Sequence, residues 1–303
     1  PGLASSPYYP NVIPWRRIWV SLGSVDVFYG WIKSWTLTWD QIASPSVQVA
    51  ALDSLALLAR RQLRPGLVEE VVFDLPDAYY RLNEAEDATQ AVDTMGGSAL
   101  ARRGGITGTL TFGQATGPAR DQSSAAQWDG STSEAPRLSG NRPPAWVGAV
   151  EMWVSPSTLV GTPILLQLLD GSAGGAALGV QLYLPDSDGK LRATAQLSSF
   201  GPPDVTLVSD NSLADGRVHH IVMCLGSSVT SLYVDGVLND STGTGTWMYL
   251  NRGVLDVMAL GTGCAPMGAS NIAIYGNELT ATQVASHYNG GANGWSGEST
   301  YER

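Results

Sequence analysis

The sequence predicts an all-β protein built from two regions. Its 303 residues include 35 Gly and 17 Pro. The apolar runs are short and are separated by Gly, Pro, Asn or Asp, which is the pattern of strands joined by tight turns. Almost no stretch shows sustained helical periodicity. Because 303 residues exceed the usual size of one domain, two domains are expected.

The first region is rich in tryptophan, with five of the ten Trp residues in its first 40 positions. Segments Ile18–Ser21, Val25–Trp39 and Val47–Ala51 predict strands. Asp53 predicts the N-cap of a short helix that ends before Pro65-Gly66, and a further strand is predicted at Val68–Phe73. So few elements cannot cover five Trp side chains. Residues 1–75 are therefore interpreted as part of a domain whose remainder lies elsewhere.

The centre of the larger region is predicted at Arg217–Gly236. Alternate side chains of a strand point to opposite faces, and both faces here are mostly apolar. One face carries His220, Val222 and Cys224, and the other carries His219, Ile221, Met223 and Leu225. A strand that is apolar on both sides belongs in the middle of a sandwich. Asp235-Gly236 then tolerates the positive φ that a two-residue hairpin turn requires.

Further apolar runs continue the sandwich at roughly ten-residue intervals, at 147–154, 164–169, 178–184, 191–197 and 205–208. A closing helix is predicted after Thr280. Thr280 and Gln283 form a capping box, Leu279 and Val284 a hydrophobic staple, and Gly290-Gly291 is expected to end the helix.

Several blocks of the larger region resemble laminin-G-like, concanavalin A-like jelly rolls. They are AYYRLNE at 78–84, QWDG at 127–130, VGAVEMWV at 147–154, DGRVHHI at 215–221, LYVDG at 232–236 and NIAIY at 271–275. Val218 stands where that family has a Trp. The resemblance covers about residues 76–292 and implies one jelly-roll β-sandwich there.

Three blocks of the first region resemble the tail-tip hub of minor tail proteins from tailed phages of actinobacteria. They are SPYYPNVIPWRRI at 6–18, GWIKSW at 30–35 and VAALDSLALLA at 49–59. GWSGES at 294–299 resembles the stretch that leads back into the hub. The resemblance implies a partial hub segment at 1–75, an inserted jelly roll, and a linker at 293–303. It also implies a virion tail-tip location, contacts with other tail proteins, and a homo-oligomer, expected to be a trimer, around the tail axis.

The charge is concentrated in the larger region. Residues 76–303 hold 21 Asp and Glu against 11 Lys and Arg, whereas residues 1–75 hold six of each kind. An acidic surface disfavours nucleic acid and anionic membranes, and it suits a neutral glycan, a cation or simple solubility. No apolar run is long enough to span a bilayer, so no membrane insertion is expected.

Candidate ligand-binding residues come in two groups. Trp146, Trp247 and Tyr249 lie in Gly- or Pro-rich surroundings and are candidates for a flat aromatic surface that stacks on sugars, with core or edge packing as the alternative. No cofactor is expected. Some jelly rolls of the resembled type hold calcium in rim loops, and the acids that would bind it here are Asp93, Asp129 and Glu134.

The sequence marks no catalytic site. Three His residues are predicted to be structural, and the G-x-S-x-G, H-E-x-x-H and P-loop patterns are absent. A glycosidase needs only two carboxylates across a cleft, which spacing alone leaves open. Cys224 and Cys264 are interpreted as free thiols, with a disulfide between them as the alternative.

These observations predict a structural minor tail protein whose jelly roll binds host cell-surface glycan and is not an enzyme. Two alternatives belong to other classes. One is a secreted carbohydrate-binding, lectin-like module, which predicts an N-terminal segment that is complete by itself. The other is a glycan-degrading tail enzyme, which predicts two carboxylates within about 10 Å across a cleft.

Overall fold

The computed structural model describes residues 17–22, 25–38, 46–53 and 66–292, the last range with gaps at 104–108, 115–116, 119–123, 130–135, 143–144, 158, 160, 171–178, 186, 198–202, 251–252 and 260–265. The chain divides into two compact units, Pro1–Arg64 and Pro65–Arg303. Strands predominate in both, which confirms the all-β prediction. Neither helix in this part of the chain has the length and apolar character needed to span a bilayer.

The first unit contains an antiparallel sheet in the order β1-β2-β3. Its strands are β1 (Arg17–Leu22), β2 (Val25–Thr38) and β3 (Ser46–Asp53). All three strands predicted in this region are confirmed, with ends that shift by one or two residues. Asp53 is the last residue of β3, and the helix predicted after it lies outside the described residues.

The second unit is a sandwich of two sheets. Its strands are β4 (Ala78–Tyr80), β5 (Gln90–Ala91), β6 (Leu100–Arg103), β7 (Leu110–Gln114), β8 (Ala125–Asp129), β9 (Arg137–Asn141), β10 (Ala145–Val147), β11 (Ala149–Pro156), β12 (Ile164–Asp170), β13 (Gly179–Tyr183), β14 (Lys190–Gln196), β15 (Val205–Ser212), β16 (His219–Leu225), β17 (Thr230–Val234), β18 (Val237–Thr242), β19 (Met248–Leu250), β20 (Gly253–Ala259) and β21 (Pro266–Tyr275).

One eight-stranded sheet has the order β18-β17-β16-β11-β21-β8-β7, with β4 paired to β21. The other has the order β15-β14-β13-β12-β20-β9-β6-β5. Strands β10 and β19 pair only with each other, as a separate two-stranded sheet. All these pairings are antiparallel, and the strands predicted between 147 and 208 are each present.

The main core lies between the two large sheets, and the central strands β11 and β16 set its boundary. In β11, Val150, Met152 and Val154 join this core. The alternate residue Trp153 belongs to a second apolar cluster on the other face of the same sheet, together with Cys224 of β16. Strand β16 is buried along its whole length. The predicted central strand with two buried faces is therefore confirmed.

Two helices cover that second cluster. Helix α1 (Gly66–Phe73) and helix α2 (Ala281–Ala292) contribute Leu67, Val71 and Val284 to it. The strand predicted at Val68–Phe73 is wrong. Its Val residues favour strand by propensity, but the buried positions 67, 68 and 71 recur with helical spacing. Packing against α2 therefore overrides the local preference.

The start of α2 follows the prediction and its end does not. The Thr280 hydroxyl accepts a hydrogen bond from the Gln283 N–H (3.3 Å), and the Gln283 side chain accepts one from the Thr280 N–H (2.9 Å), so the capping box is confirmed. The predicted stop at Gly290-Gly291 is wrong, because the helix continues through both residues. Their lack of side chains serves packing: a Cβ on Gly290 would lie 3.1 Å from the backbone of Leu67.

The hairpin between β17 and β18 turns at Asp235-Gly236, as predicted. Both residues have positive φ, 52° for Asp235 and 76° for Gly236. This combination is typical of the tight turns whose twist matches that of the flanking strands.

Gly291 gives a direct test of the packing beneath α2. Alanine in a helix is normally more stable than glycine by about 0.5–1 kcal/mol. Here, however, a Cβ would collide with the indole ring of Trp153. We expect Gly291→Ala to lower the free energy of unfolding by about 1–3 kcal/mol in urea denaturation of the full chain. Gly243→Ala is the control, because a Cβ there meets nothing within 4 Å. Equal stability of the two variants would contradict the close packing.

Candidate functional site

The three aromatic residues singled out in the sequence meet on the surface of the sandwich. The rings of Trp146 and Trp247 stack with centroids 4.4 Å apart and planes 23° from parallel. Tyr249 meets Trp146 edge-on at 5.4 Å. Each side chain is about half exposed, at 46%, 44% and 49% respectively. Trp146, Trp247 and Tyr249 are hereafter called the aromatic patch.

The short sheet β10-β19 positions this patch. Trp146 of β10 pairs directly with Tyr249 of β19, and Val147 pairs with Met248. Because successive residues of a strand point to opposite faces, Val147 and Met248 turn inward and are buried while Trp146 and Tyr249 turn outward. Trp247, just before β19, is fixed by a hydrogen bond from its indole N–H to the carbonyl of Gly276 (3.2 Å).

Such a surface suits an amphipathic ligand. Flat aromatic faces stack on the C–H groups of sugar rings, and the edges of the rings leave the sugar hydroxyls to water. The rings are also held by ring stacking, a hydrogen bond and the β10-β19 pairing before any ligand arrives. The patch is thus the part of the described surface that fits the sugar-binding prediction. Whether it binds a glycan stays a prediction.

The acids proposed as calcium ligands have other partners. The Asp93 carboxylate accepts hydrogen bonds from the backbone N–H groups of Tyr79, Met95 and Gly97, at 2.9, 2.9 and 3.1 Å. Asp129 accepts from both the N–H and the hydroxyl of Thr109. Glu134 lies outside the described residues. In the part of the chain that the structure describes, no group of three or more His, Cys, Asp or Glu side chains is arranged so that it could hold a metal ion. The calcium prediction remains untested.

A buried carboxylate lies at the centre of the outer face of the β11-β16 sheet. Glu151 accepts hydrogen bonds from the His220 Nε2–H (2.8 Å), the His287 Nδ1–H (3.0 Å) and the Tyr275 hydroxyl (2.7 Å). His287 donates its other ring N–H to Asp74, also at 3.0 Å. Glu151 and both histidines have no exposed surface. We call these five residues the Glu151 network.

Charge and burial oppose each other in this network. Burial would raise the pKa of Glu151, but the positive charge of His287 and the hydrogen bonds from both histidines hold it well below its ordinary range. Burial would lower the pKa of His287, but the charge of Glu151 and the hydrogen bond to Asp74 raise it to about 10. The network therefore contains a doubly protonated His287 between two carboxylates.

The structure also shows the surroundings of His219 and Cys224. His219 lies between Asp235 and Asp215, at 2.9 Å from each. Burial would lower its pKa, but these two hydrogen bonds raise it. Cys224 is a buried free thiol that donates to the carbonyl of Leu279, and burial raises its pKa to about 12. Cys264 lies outside the described residues.

Sequence reasoning missed the Glu151 network, although its signals were present. A Glu inside an apolar strand and a His-His pair in another strand are both unusual in a buried sheet. Because Glu151, His220 and His287 are fully buried, a substrate cannot reach them, and they fit a structural role. The prediction that the three His residues are structural agrees with the hydrogen bonds that hold them.

Comparisons with known proteins agree with this architecture. Residues 135–285 match the laminin G family model described as the concanavalin A-like lectin/glucanases superfamily. A search among proteins of curated function finds no match in sequence. The described sandwich is therefore a laminin-G-like, concanavalin A-like jelly roll, as its motifs predicted.

Solved structures with the same fold include three binding domains. The binding domain of Paraclostridial Mosquitocidal Protein 1 has a TM-score of 0.52 at 13% identity, over 70% of this chain and 52% of that chain. The botulinum neurotoxin serotype D binding domain has a TM-score of 0.53 at 14% identity, over 73% of this chain and 52% of that chain. The ligand binding domain of botulinum neurotoxin serotype D in complex with N-acetylneuraminic acid has a TM-score of 0.52 at 14% identity, over 74% of this chain and 52% of that chain. The chain thus spans about half the length of these structures, and the likeness shows the fold.

The Glu151 network makes the stability of the sandwich depend on pH. Folded His287 keeps its proton up to about pH 10, whereas the unfolded residue releases it near 6.5. Between these values the folded state binds more protons, so the free energy of unfolding falls as the pH rises, by at most about 1.4 kcal/mol per pH unit for one proton. Glu151 has the opposite sign: its contribution is present above its ordinary pKa of 4.5 and is lost as the pH falls below that value.

We expect His287→Gln to lower stability near pH 6 by about 3–5 kcal/mol, because Glu151 loses its buried counter-charge. The variant should also lose most of the stability slope between pH 6.5 and 10. His219→Gln is the comparison variant, since it leaves the Glu151 network intact. Because the pKa of His219 is also raised, it should remove only the part of the slope that His219 contributes. Urea denaturation at intervals of one pH unit measures both effects, and an unchanged slope in His287→Gln would rule out this account.

Proposed function

We propose that this laminin-G-like, concanavalin A-like jelly roll is a glycan-binding module without catalytic activity, and that the aromatic patch is its contact surface. The observation that carries the proposal is the convergence of three half-exposed rings on one short sheet. Large exposed aromatic side chains that stack on one another are costly to leave in water, and their grouping is typical of a recognition surface.

The structural neighbours support glycans as the first ligand class to test. All three are binding domains by name, and one of them is described in complex with N-acetylneuraminic acid. The charge of this chain points to a different sugar chemistry. With 21 acidic and 11 basic residues in positions 76–303, the module would repel polyanionic polymers and tolerate neutral sugars.

We also propose that the chain is a structural component of a phage tail tip. This step rests on the resemblance of residues 6–18, 30–35 and 49–59 to the tail-tip hub of minor tail proteins. In this setting the jelly roll would contact the host cell surface during adsorption, and the first unit would contact other tail proteins. Several copies around the tail axis, expected to be three, would raise avidity by about 10²–10⁴ over one weak site.

Removal of one ring should weaken glycan binding measurably. We expect Trp247→Ala and Trp146→Ala each to reduce affinity by about fivefold or more, which corresponds to about 1 kcal/mol for a lost stacking contact. Retention of the full chain on immobilised actinobacterial cell-wall polysaccharide, followed by calorimetry, measures the effect. Phe73→Ala is the matched control, because Phe73 is an exposed aromatic residue (61%) outside the patch.

Unchanged affinity in both patch variants would move the contact surface elsewhere on the molecule. Shortened oligosaccharides in the eluate would assign the module to the enzyme class. No retention of the wild-type chain on any glycan would remove the binding function altogether.

The tail-tip proposal has its own test. If the jelly roll contacts the host surface, the purified chain should compete with phage particles and lower their adsorption rate on actinobacterial cells. The Trp146→Ala and Trp247→Ala double variant should compete less well than Phe73→Ala. Reconstruction of a particle that carries this chain gives the independent readout. Density for the chain anywhere other than the tail tip contradicts the proposal.

A further inference from the structure

A cavity of about 220 Å³ lies beside the aromatic patch. Its lining includes Asp77, Tyr80, Asn141, Arg142 and Ala145. Ala145 directly precedes Trp146 of the patch. These residues come from the segment before β4, from β4 itself, and from the stretch that runs from the last residue of β9 to the first residue of β10, so the cavity is built by residues distant in sequence.

Two sets of contacts join the cavity to the patch. The Arg142 guanidinium lies 3.5 Å from the carbonyl oxygen of Trp146. On the other side, Gly276 accepts the indole hydrogen bond of Trp247. A Cβ on Gly276 would lie 3.0 Å from the Asp77 carboxylate. The wall of the cavity is therefore in contact with the backbone that carries Trp146 and with the residue that holds Trp247.

Arg142 holds Asp77 in place in this wall. Its side chain is only 5% exposed, and one terminal nitrogen, Nη2, binds the Asp77 carboxylate at 2.6 Å. The other, Nη1, is buried and has no hydrogen-bond partner among the described residues. Because Nη1 has almost no accessible surface, a ligand in the cavity meets Arg142 through its charge and through the carboxylate that it holds.

The polar groups that line the cavity restrict the chemistry of a ligand that could bind there. Asp77 is partly exposed, with 44% of its side chain accessible, and only accepts hydrogen bonds. Asn141 is exposed and can both donate and accept. Asp93 also lines the cavity, but its oxygens are already engaged by three backbone N–H groups. Asp77 and Asp93 therefore do not form a free acid and base pair.

A hydroxyl group fits this set of partners better than a charged group does. It can donate to Asp77 and accept from Asn141 at the same time. A carboxylate could accept from Asn141 but would meet two acids, Asp77 and Asp93, against one cation. An ammonium group could bind Asp77 but could not accept a hydrogen bond from Asn141. The cavity also exceeds the roughly 150 Å³ that encloses a six-membered benzene ring.

We propose that the cavity is a second sugar subsite, which binds adjacent hydroxyl groups of a neutral sugar residue next to the one stacked on the aromatic patch. This proposal rests on the glycan-binding function proposed above and adds the ligand chemistry. Asp77 and Asn141 provide the hydrogen bonds, Arg142 holds Asp77 in place, and the patch provides the stacking surface. The subsite therefore selects a neutral oligosaccharide over one that carries a carboxylate.

The test uses the full chain and an array of oligosaccharides built from glucose, galactose and mannose. The array includes matched members with glucuronic or galacturonic acid and members that lack one ring hydroxyl. We expect Asp77→Asn and Asn141→Ala each to lower affinity for the neutral members by about tenfold. Asp87→Asn and Asn83→Ala are matched controls at exposed positions outside the cavity. The exposed Asn141 keeps the test valid if Asp77→Asn unfolds the protein by leaving Arg142 without its partner.

The outcomes separate this inference from the function on which it rests. Loss of binding in Trp247→Ala with wild-type affinity in both cavity variants overturns the subsite and leaves the glycan-binding function standing. Preference for the uronic acid members overturns the neutral-sugar assignment. Failure of the wild-type chain to bind any member overturns both proposals. Weaker binding in both cavity variants, together with a matching loss for the deoxy members, supports the subsite.

Discussion

The buried carboxylate of Glu151 is the interaction on which much of the described sandwich depends. Moving an ion out of water costs several kcal/mol, and only well-placed partners offset that cost. Here β16 contributes His220, β21 contributes Tyr275 and helix α2 contributes His287, whose second N–H binds Asp74 just after α1. Because each partner comes from a different element, the network fixes both helices on the outer face of the sheet.

Two residues of the Glu151 network lie close in sequence to residues of the candidate site. Tyr275, which donates to Glu151, is followed by Gly276, whose carbonyl holds the indole of Trp247. Asp74, which accepts from His287, is three residues from Asp77 in the cavity wall. One face of the sheet is filled by the main core and the other by the helices. The proposed recognition site therefore lies at the margin of the sandwich, where these short connections position the aromatic patch and the cavity.

Local patterns in the sequence correctly predicted the structural features that depend on residues close together in the chain. The alternation in β16 gave the correct faces, and the capping box and the Asp235-Gly236 turn were correct because each involves residues only a few positions apart. The prediction failed where distant packing decides. Helix α1 forms against its Val propensity because α2 covers it, and Gly290-Gly291 continues a helix because Leu67 and Trp153 approach closely. Trp146 and Trp247 were recognised as candidates, but their stacking requires a pairing across about 100 residues that no local pattern encodes.

The two parts of the proposed site contribute differently to recognition. Stacking on half-exposed rings depends little on the identity of the sugar, because most sugars present a face of C–H groups. Hydrogen bonds with Asp77 and Asn141 would depend on the position of each hydroxyl. The patch is held in place before binding, which lowers the entropy lost on association. In the proposed site, affinity would thus arise mainly from the patch, and the choice among sugars mainly from the cavity.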